Sequence, residues 1–292
     1  MHPKVMIFGG TGFLGGALQE CLEADGFEAV VVSRTPQGPK MRSLFDEEAL
    51  VAELKECMGA VHLSGVRFGA AFSQKELLAN LDLVVKTVAL LCAAKVSNAV
   101  FASSIGVYQG SSRCPYCEKD VATPKNLYGL SKKMADDYLM HLNQTQGTCF
   151  KSLRLAQVLG ENERKGYLLN TFMETAQQQQ PLTLYGEGVG ERQYLYVKDA
   201  ALAFKTALEH PKDQGIYNVG MPGRISIRAL ADTINRVFEN PAPLQKIPYP
   251  MEDASVCEMQ VEKIHRDWGF SPRYSLEEAL GEIRAHWAAK GA

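Results

Sequence analysis

Short apolar runs alternate with amphipathic stretches along the first half of the chain. The apolar runs, which predict strands, lie at 5–8, 28–32, 60–65, 99–104 and 150–155, with a weaker one at 43–45. The stretches with apolar residues at helical spacing lie at 13–22, 46–55, 75–94 and 127–142. Continuous apolar runs are typical of strands covered on both faces, and strands that alternate with helices favour a right-handed, doubly wound parallel sheet. The fold class is therefore predicted to be α/β.

The pattern becomes less regular after residue 160. Helices are predicted at 167–177, 200–208, 227–238 and 276–289, and strands at 182–185, 192–197 and 217–220. Asp199 precedes the second of these helices and is predicted to be its N-cap, because a carboxylate there accepts from helix N–H groups. We expect a dinucleotide-binding domain over 1–160, to which 192–220 returns, and a smaller C-terminal substrate-binding lobe of 161–191 and 221–292.

Composition limits the partners of the chain. Its 292 residues are enough for one large α/β domain with a smaller lobe. The net charge of −2 shows no basic excess, so neither a nucleic-acid partner nor an anionic membrane surface is expected. No apolar run approaches membrane-spanning length, and no signal-peptide pattern is present. Seven cysteines, an odd number, favour reduced thiols and a cytoplasmic location.

A glycine-rich run separates the first strand from the first helix: Gly9-Gly10-Thr11-Gly12-Phe13-Leu14-Gly15. Gly9 permits a tight turn, Gly12 lets the backbone approach a pyrophosphate, and Gly15 lets helix and strand pack closely. A phosphate at this position would meet the N–H groups of a helix N-terminus. The strand before the turn and the helix after it are what a dinucleotide site requires, so the whole run is predicted to bind the cofactor.

The carboxyl ends of two other strands are also expected to meet the cofactor. Ser33, Arg34 and Thr35 follow the second strand, where the adenosine ribose lies in a dinucleotide fold. A guanidinium with hydroxyls and no carboxylate suits a 2′-phosphate, so NADP is preferred to NAD unless Arg34 is only a solvated loop cation. At the fourth strand, Leu63, Ser64 and Gly65 let the cofactor lie against the backbone, and His62 is expected to be a packed strand residue rather than a catalyst.

Three side chains form the predicted catalytic group. Ser104 ends the fifth strand, while Tyr128 and Lys132 lie four residues apart on one face of the next helix. A phenol has a reference pKa near ~10, and a lysine ammonium one turn away, with a positively charged nicotinamide, favours its phenolate. Tyr128 could then exchange a proton with a substrate hydroxyl that Ser104 fixes, while Lys132 holds the nicotinamide ribose. This chemistry accompanies hydride transfer at a secondary alcohol carbon.

These features resemble the extended short-chain dehydrogenases/reductases, in the NAD(P)-dependent epimerase/dehydratase family. The resemblance covers nearly the whole chain. The matching segments are Gly9 to Gly15, His62-Leu63-Ser64-Gly65, Ser103 to Tyr108, Tyr128-Gly129-Leu130-Ser131-Lys132, Gly186 to Gly188 with Arg192 to Asp199, and Tyr217-Asn218-Val219-Gly220. The resemblance implies a Rossmann-type fold, a nucleotide-activated sugar as substrate, and Arg192 as the contact for its diphosphate. Arg192 could instead form a surface salt bridge; Asn170 is a weaker candidate for the same role.

Three departures from the family pattern bear on the reaction. The 4,6-dehydratases of the family carry an acid pair where this chain has Ile105 and Gly106, which argues against that activity. The Asp that usually meets the adenine amine is replaced by Ser43, with Asp46 three residues on. Gln157 stands where the family often has Asn after the sixth strand. An epimerase and a ketoreductase both remain open, and the preference for NADP favours the ketoreductase.

Several alternatives stay open. A non-catalytic NAD(P)-binding regulator or assembly factor can use the same fold, although such proteins commonly lose the tyrosine or lysine that this chain keeps. Cys114 and Cys117 supply only two metal ligands, so no metal is predicted; they could form a redox switch or be plain loop thiols. A homodimer is expected through the helices at 75–94 and 128–142. The apolar residues considered for that contact, which could equally be intrachain core, are Leu83, Val84, Val88 and Leu91.

Overall fold

The computed structural model of the protein describes residues 2–66, 72–163 and 165–291. The strands in these ranges are β1 Lys4–Phe8, β2 Glu28–Ser33, β3 Met41–Ser43, β4 Cys57–His62, β5 Asn98–Ser104, β6 Cys149–Leu155, β7 Gln157–Leu159, β8 Thr183–Tyr185, β9 Glu191–Arg192, β10 Tyr194–Tyr196, β11 Gly215–Val219, β12 Ile225–Ser226, β13 Gln245–Ile247 and β14 Val256–Cys257. The helices are α1 Phe13–Ala24, α2 Glu47–Leu54, α3 Gln74–Ala94, α4 Leu127–Gln146, α5 Leu168–Gln177, α6 Val197–Glu209, α7 Ile227–Val237, α8 Glu262–Trp268 and α9 Leu276–Lys290, with a 3-10 helix at Ile105–Tyr108.

A parallel sheet organises the molecule. Its seven strands follow the order β11-β6-β5-β4-β1-β2-β3, and every pairing in it is parallel. Ile7 of β1 pairs with Val31 of β2 on one side and with Val61 of β4 on the other. The strand order therefore reverses at β1, and ligands of such sheets bind outside the carboxyl ends of the strands at this reversal. The predicted doubly wound, Rossmann-type sheet is confirmed.

Both faces of the sheet are covered. In β1, Val5 and Ile7 join a core with α1 and α6, while Met6 and Phe8 join a second core with α2, α3 and α4. This alternation follows from the two-residue period of a strand, and it explains why β1 is apolar from Val5 to Phe8. A third apolar cluster unites α5, α7 and α9 with β10 in the C-terminal part of the chain.

Several predicted boundaries were displaced. The third strand is Met41–Ser43 and does not reach Phe45, whose side chain is 70% exposed. The fourth strand ends at His62, so Leu63 to Gly65 follow it as a loop. The strand predicted at 192–197 is divided between β9 and β10, because Gln193 is buried between them and bonds to backbone of Met221 and Met259.

The predicted N-cap role of Asp199 is wrong. Helix α6 begins at Val197, two residues earlier, so Asp199 lies in its first turn. The buried carboxylate accepts from the backbone N–H groups of Arg273 (2.8 Å) and Tyr274 (3.2 Å), in the segment before α9. The aspartate therefore ties the C-terminal segment to α6, a contact across more than seventy residues that local capping rules do not reveal.

Helix α3 corrects another expectation. Among the described residues it is the one helix that is long and apolar enough to cross a membrane by length and composition. In the structure it packs on the sheet between α2 and α4, with Val84, Val88 and Leu91 in the core. A core helix meets the same length and composition criteria, so the burial of this face accounts for much of its apolar character.

Candidate active site

The glycine-rich turn packs against the loop after β4. Gly9 has a φ of +86°, and a Cβ on it would lie 2.8 Å from the backbone nitrogen of Ser64. A Cβ on Gly15 would lie 2.5 Å from the carbonyl oxygens of Gly9 and Gly10. Glycine is therefore required at both positions, and the turn lies directly beside the loop that was predicted to share the cofactor. Thr11 and Gly12 are exposed, and Phe13 and Leu14 open α1.

Gln19 holds the turn from the first helix, a role that the sequence analysis missed. Its Nε2 donates to the carbonyl oxygen of Gly10 at 2.7 Å. The residue lies four positions after Gly15 in α1, which places its amide back over the turn. The backbone carbonyl is thereby satisfied from within the protein, next to a helix N-terminus, which is the kind of position where proteins bind anions.

The residues after β2 are open to solvent. Arg34 and Thr35 are exposed, and the Ser33 hydroxyl oxygen accepts from the Thr35 N–H at 3.2 Å. Arg34 makes no ion pair or side-chain hydrogen bond with another residue in the described ranges. The loop after β4 is held more firmly, since the Leu63 N–H donates to Phe8 at 2.8 Å and the Asn80 amide makes two hydrogen bonds to the Val66 backbone.

Ser104 and Tyr128 lie beside a close contact between the backbones of Gly106 and Gly129. Asn126 caps α4 by accepting from the Gly129 N–H at 2.8 Å, which sets Tyr128 in the first helical turn. A Cβ on Gly129 would overlap the carbonyl oxygen of Gly106. A Cβ on Gly106 would lie 3.3 Å from Oγ of Ser104 and 3.8 Å from Cδ1 of Tyr128. The predicted serine and tyrosine are thus next to each other, on either side of Gly106.

Lys132 lies beneath the tyrosine ring. Its Nζ is 5.9 Å from the Tyr128 ring centroid and donates to the carbonyl oxygen of Ala102 at 2.8 Å. Burial lowers the pKa of Lys132 to about 8, while the charge of Asp136 opposes that shift. At pH 7 the side chain is therefore still mainly an ammonium, close to the phenol. The expected approach of the serine, tyrosine and lysine at the end of β5 is present in the structure.

A buried polar network holds α4 against β6. Asp136, one turn beyond Lys132, accepts from Ser152 at 2.5 Å and from Nε of Arg154 at 2.8 Å. Arg154 also donates to the hydroxyl of Tyr108 at 2.5 Å, and its guanidinium lies over that ring. This network was not predicted from the sequence, although the four-residue spacing from Tyr128 through Lys132 to Asp136 places all three on one helical face.

The two residues predicted to contact the substrate diphosphate, Arg192 and Asn170, lie in the second half of the chain. Arg192 in β9 forms an ion pair with Asp253 at 2.6 Å and donates to the carbonyl oxygen of Ser255 at 2.6 Å. The ion pair matches the alternative expectation of a salt bridge, although the Arg192 side chain is only 16% exposed while that of Asp253 is 67% exposed. Asn170 is buried in α5.

The departures from the family pattern have structural counterparts. Ile105 and Gly106 are buried in the 3-10 helix that follows β5. Ser43 ends β3, and Asp46 caps α2 by accepting from the Ala49 N–H at 3.1 Å. Gln157 is exposed at the start of β7.

The cysteines lie apart from this chemistry. None of the seven forms a disulfide. Partial burial raises the pKa of the Cys114 thiol, which disfavours the reactive thiolate that a redox switch needs. Within the described ranges, no three His, Cys, Asp or Glu side chains are grouped as a metal site requires.

Comparison with known proteins identifies the class to which this fold and site belong. The sequence model of the NAD dependent epimerase/dehydratase family matches residues 5–220. The chain therefore belongs to that family, which confirms the predicted resemblance to the extended short-chain dehydrogenases/reductases.

Individual relatives cover nearly the whole chain. The UDP-N-acetylglucosamine 4-epimerase of Bacillus cereus is 29% identical, with a TM-score of 0.89 over 98% of this chain and 96% of that one. The dTDP-4-dehydro-6-deoxyglucose reductase of Escherichia coli is 25% identical over 96% of both chains. The UDP-glucose 4-epimerase of Thermus thermophilus, solved in complex with NAD, is 24% identical over 98% of this chain and 99% of that one, with a TM-score of 0.82, and shows the shared fold.

Proposed function

We propose that this protein is an NAD(P)-dependent enzyme that transfers hydride at a secondary alcohol or ketone carbon of a nucleotide-activated sugar. The observation that carries the proposal is the grouping of Ser104, Tyr128 and Lys132 beside the carboxyl end of β5. The glycine-rich turn and the loop after β4 lie at the same edge of the sheet. A regulator without catalysis would have no need for an ammonium held beside a phenol.

The turn fits a dinucleotide. Its backbone comes so close to Ser64 and to α1 that a Cβ at Gly9 or Gly15 would fill the space. A pyrophosphate would then meet the backbone at the start of α1, where a helix N-terminus favours negative charge. The residues that would hold the cofactor are those of the turn, Ser33, Arg34, Leu63, Ser64, Gly65, Tyr128 and Lys132. When bound, the nicotinamide would supply or accept the hydride.

The side chains of this site have distinct tasks. The Ser104 hydroxyl oxygen already accepts from the Gly106 N–H at 3.1 Å, so its own hydrogen is available to donate to a substrate oxygen. Tyr128 would take the proton of a substrate hydroxyl or return it to a ketone oxygen. Lys132 would stabilise the phenolate through its charge, and its position is fixed by the carbonyl oxygen of Ala102.

The substrate is proposed to lie between this site and residues 161–191 and 221–292. Arg192 would bind its diphosphate, which requires the guanidinium to exchange the carboxylate of Asp253 for phosphate oxygens. Ile105 and Gly106 offer no acid for elimination, so a 4,6-dehydratase is not proposed.

The likeness to a UDP-N-acetylglucosamine 4-epimerase favours epimerisation as the first candidate. The exposed Arg34 favours a second, an NADPH-dependent ketoreductase. The two differ in stoichiometry. An epimerase interconverts two nucleotide sugars while it retains tightly bound NAD, whereas a ketoreductase consumes NADPH with a 4-keto nucleotide sugar. Assays of both substrates, together with the cofactor content of the purified protein, separate them.

The role of Tyr128 can be tested with Tyr128→Phe. We expect at least about a hundredfold loss of kcat, because general acid–base catalysis typically contributes that much, with cofactor affinity nearly unchanged. Tyr138→Phe, on the same helix, is the matched control and should retain activity. Turnover by Tyr128→Phe at the wild-type rate would remove Tyr128 from the mechanism. No reaction by the wild type with any nucleotide sugar or 4-keto form would overturn the proposed function.

A further inference from the structure

A small cavity lies behind Lys132, inside the protein. It is bordered by β4, β5, α3, α4 and β6, and its polar lining includes His62, Ser64, Lys132 and Asp136. The space open to the centre of a water molecule is about 10 Å³. That volume corresponds to about one water, provided that the molecule finds at least two polar partners there.

His62 brings an unused acceptor to this cavity. The Thr87 hydroxyl donates its only hydrogen to the carbonyl oxygen of Leu83 at 2.8 Å, so it must accept from Nδ1–H of His62 at 2.9 Å. The ring is therefore the Nδ1–H tautomer, and Nε2 carries a lone pair. Nε2 is buried, and no group among the described residues meets hydrogen-bond geometry with it. The Ser64 backbone lies near enough to the ring to oppose the lowering of the His62 pKa, but it is the smallest of the effects on that pKa. The side chain is 3% exposed and stacked against Phe101 at 5.3 Å between ring centroids.

The imidazole does not become a cation under ordinary conditions. Burial, reinforced by the charge of Lys132, lowers the pKa of His62 to about 3. Nε2 is consequently an acceptor over the whole working pH range. Leaving such an acceptor unmet inside the protein costs free energy, which favours a donor in the cavity.

Lys132 has the hydrogens that the acceptor lacks. Of its three N–H groups, one is used by the carbonyl oxygen of Ala102. We infer that a single buried water bridges Lys132 Nζ to His62 Nε2, and that His62 is thereby a positioning residue for the catalytic ammonium. The description of Lys132 as catalytic rests on the proposed function, whereas the water site rests on the geometry of the cavity alone.

The bridging water would also affect the protonation state of Lys132. A water that accepts from Nζ and donates to Nε2 stabilises the ammonium form of Lys132 in a site where burial opposes it. The other ionisable groups around Lys132 are Tyr128 and Asp136 on α4, with Arg154 of β6 behind Asp136. Among the described residues that line the cavity, β5 and α3 contribute no ionisable side chain. His62 is therefore the group whose removal should alter the titration of Lys132 without altering a nearby charge.

Two substitutions of His62 test the roles of its two ring nitrogens separately. In His62→Asn the amide nitrogen can replace Nδ1 and donate to Thr87, but the acceptor at Nε2 is lost. In His62→Gln the longer side chain can place an amide oxygen near the position of Nε2. We expect His62→Asn to lower the pKa of Lys132 by about one unit, the size of one lost charge-assisted hydrogen bond, and His62→Gln to stay near the wild type.

The pKa of Lys132 can be measured by NMR in the cofactor-free protein with 13C-labelled lysine, assigned with Lys132→Arg. The alkaline limb of kcat/KM should move to lower pH by the same amount, because the phenolate loses its counter-charge when Lys132 deprotonates. A crystal structure of the wild type at high resolution should show one water within hydrogen-bond distance of both nitrogens.

An empty cavity in that crystal structure would overturn the inference, as would equal Lys132 titrations in His62→Asn and the wild type. If His62→Asn does not fold, the presence or absence of the water in the wild-type crystal structure decides. An enzyme without activity towards nucleotide sugars but with the water in place would refute the proposed function and leave the water site intact.

Discussion

At the scale of single residues, the contrast between two arginines bears on which ligands the protein binds. Arg192 is engaged by Asp253 and the Ser255 carbonyl, so an incoming diphosphate must replace existing contacts. Arg34 is exposed and makes no ion pair among the described residues. A guanidinium held in solvent keeps its donors for a ligand, and a 2′-phosphate at the end of β2 would find it.

Cofactor choice can therefore be tested at Arg34. Arg34→Ala should weaken NADPH binding about 10- to 100-fold, the effect of one charge-assisted contact, and leave NADH binding within a factor of about two. Lys40→Ala removes an exposed cation of the same loop that is paired with Glu23, and it should change neither affinity. Calorimetric titration gives all of these values. Equal effects of Arg34→Ala on both cofactors would show that Arg34 does not select NADP.

Residue types at strand ends were predictable from the sequence, but their partners were not. The proximity of Ser104, Tyr128 and Lys132 could be predicted because strand position and helical spacing are local properties. The contact of Arg192 with Asp253 joins positions 61 residues apart, and the lone pair on His62 Nε2 depends on the hydroxyl of Thr87 in α3. Such partners depend on the tertiary structure, so a single sequence does not contain them in readable form.

At the scale of elements, the first turn of α1 shows how closely helix and loop are packed. Gly15 and Gly16 are neighbours in the same helix, yet only Gly15 faces the turn. A Cβ at 15 would lie 2.5 Å from two carbonyl oxygens, while one at 16 would meet nothing within 4 Å. Helix propensity is nearly the same at both positions, so the difference isolates the packing requirement.

Gly15→Ala should accordingly displace the turn and reduce cofactor affinity by at least about tenfold, with a loss of about 1–3 kcal/mol in the free energy of unfolding. Gly16→Ala should raise that free energy by up to about 1 kcal/mol, because alanine favours helix. Urea unfolding and cofactor titration of the two variants give the comparison. If both alanine variants bind the cofactor as the wild type does, the turn is not held by Gly15.

The longer elements were predictable because their period is regular over many residues. The short strands β7, β12, β13 and β14 were not predicted, since two or three residues carry no period. Helix α8 was missed for a similar reason, as its seven residues bury only Ile264 and Trp268. All of these short elements except β7 lie in the C-terminal segments, where the substrate specificity is proposed to reside.

At the scale of the whole molecule, the predicted dimer contact needs revision. Val84, Val88 and Leu91 belong to the intrachain core, so they cannot form the contact between subunits. The same two helices expose other large apolar side chains, namely Leu78 (63%), Val85 (49%) and Met134 (42%). We propose that this face, defined by Leu78, Val85 and Met134, forms the interface of a homodimer.

The double variant Leu78→Glu/Val85→Glu should then be a monomer, since two buried carboxylates in each subunit would oppose association. Met251→Glu changes an 81% exposed residue elsewhere and should leave the dimer intact. Sedimentation velocity at micromolar concentration distinguishes the species. A wild-type monomer under these conditions would refute the homodimer, and an unchanged dimer in the double variant would place the interface elsewhere.

The close backbone contact between Gly106 and Gly129 also restricts how this fold could acquire a new catalytic activity. An aspartate or glutamate at position 106 would place its Cβ 3.3 Å from the Ser104 hydroxyl oxygen, which is a tight contact. This is one of the two positions at which the resemblance led us to expect an acid in 4,6-dehydratases. The first mutational step towards elimination would disturb the serine before the new acid could act. An engineer, or natural selection, would gain such an activity at lower cost by adding the acid on the C-terminal segments that are proposed to contact the substrate.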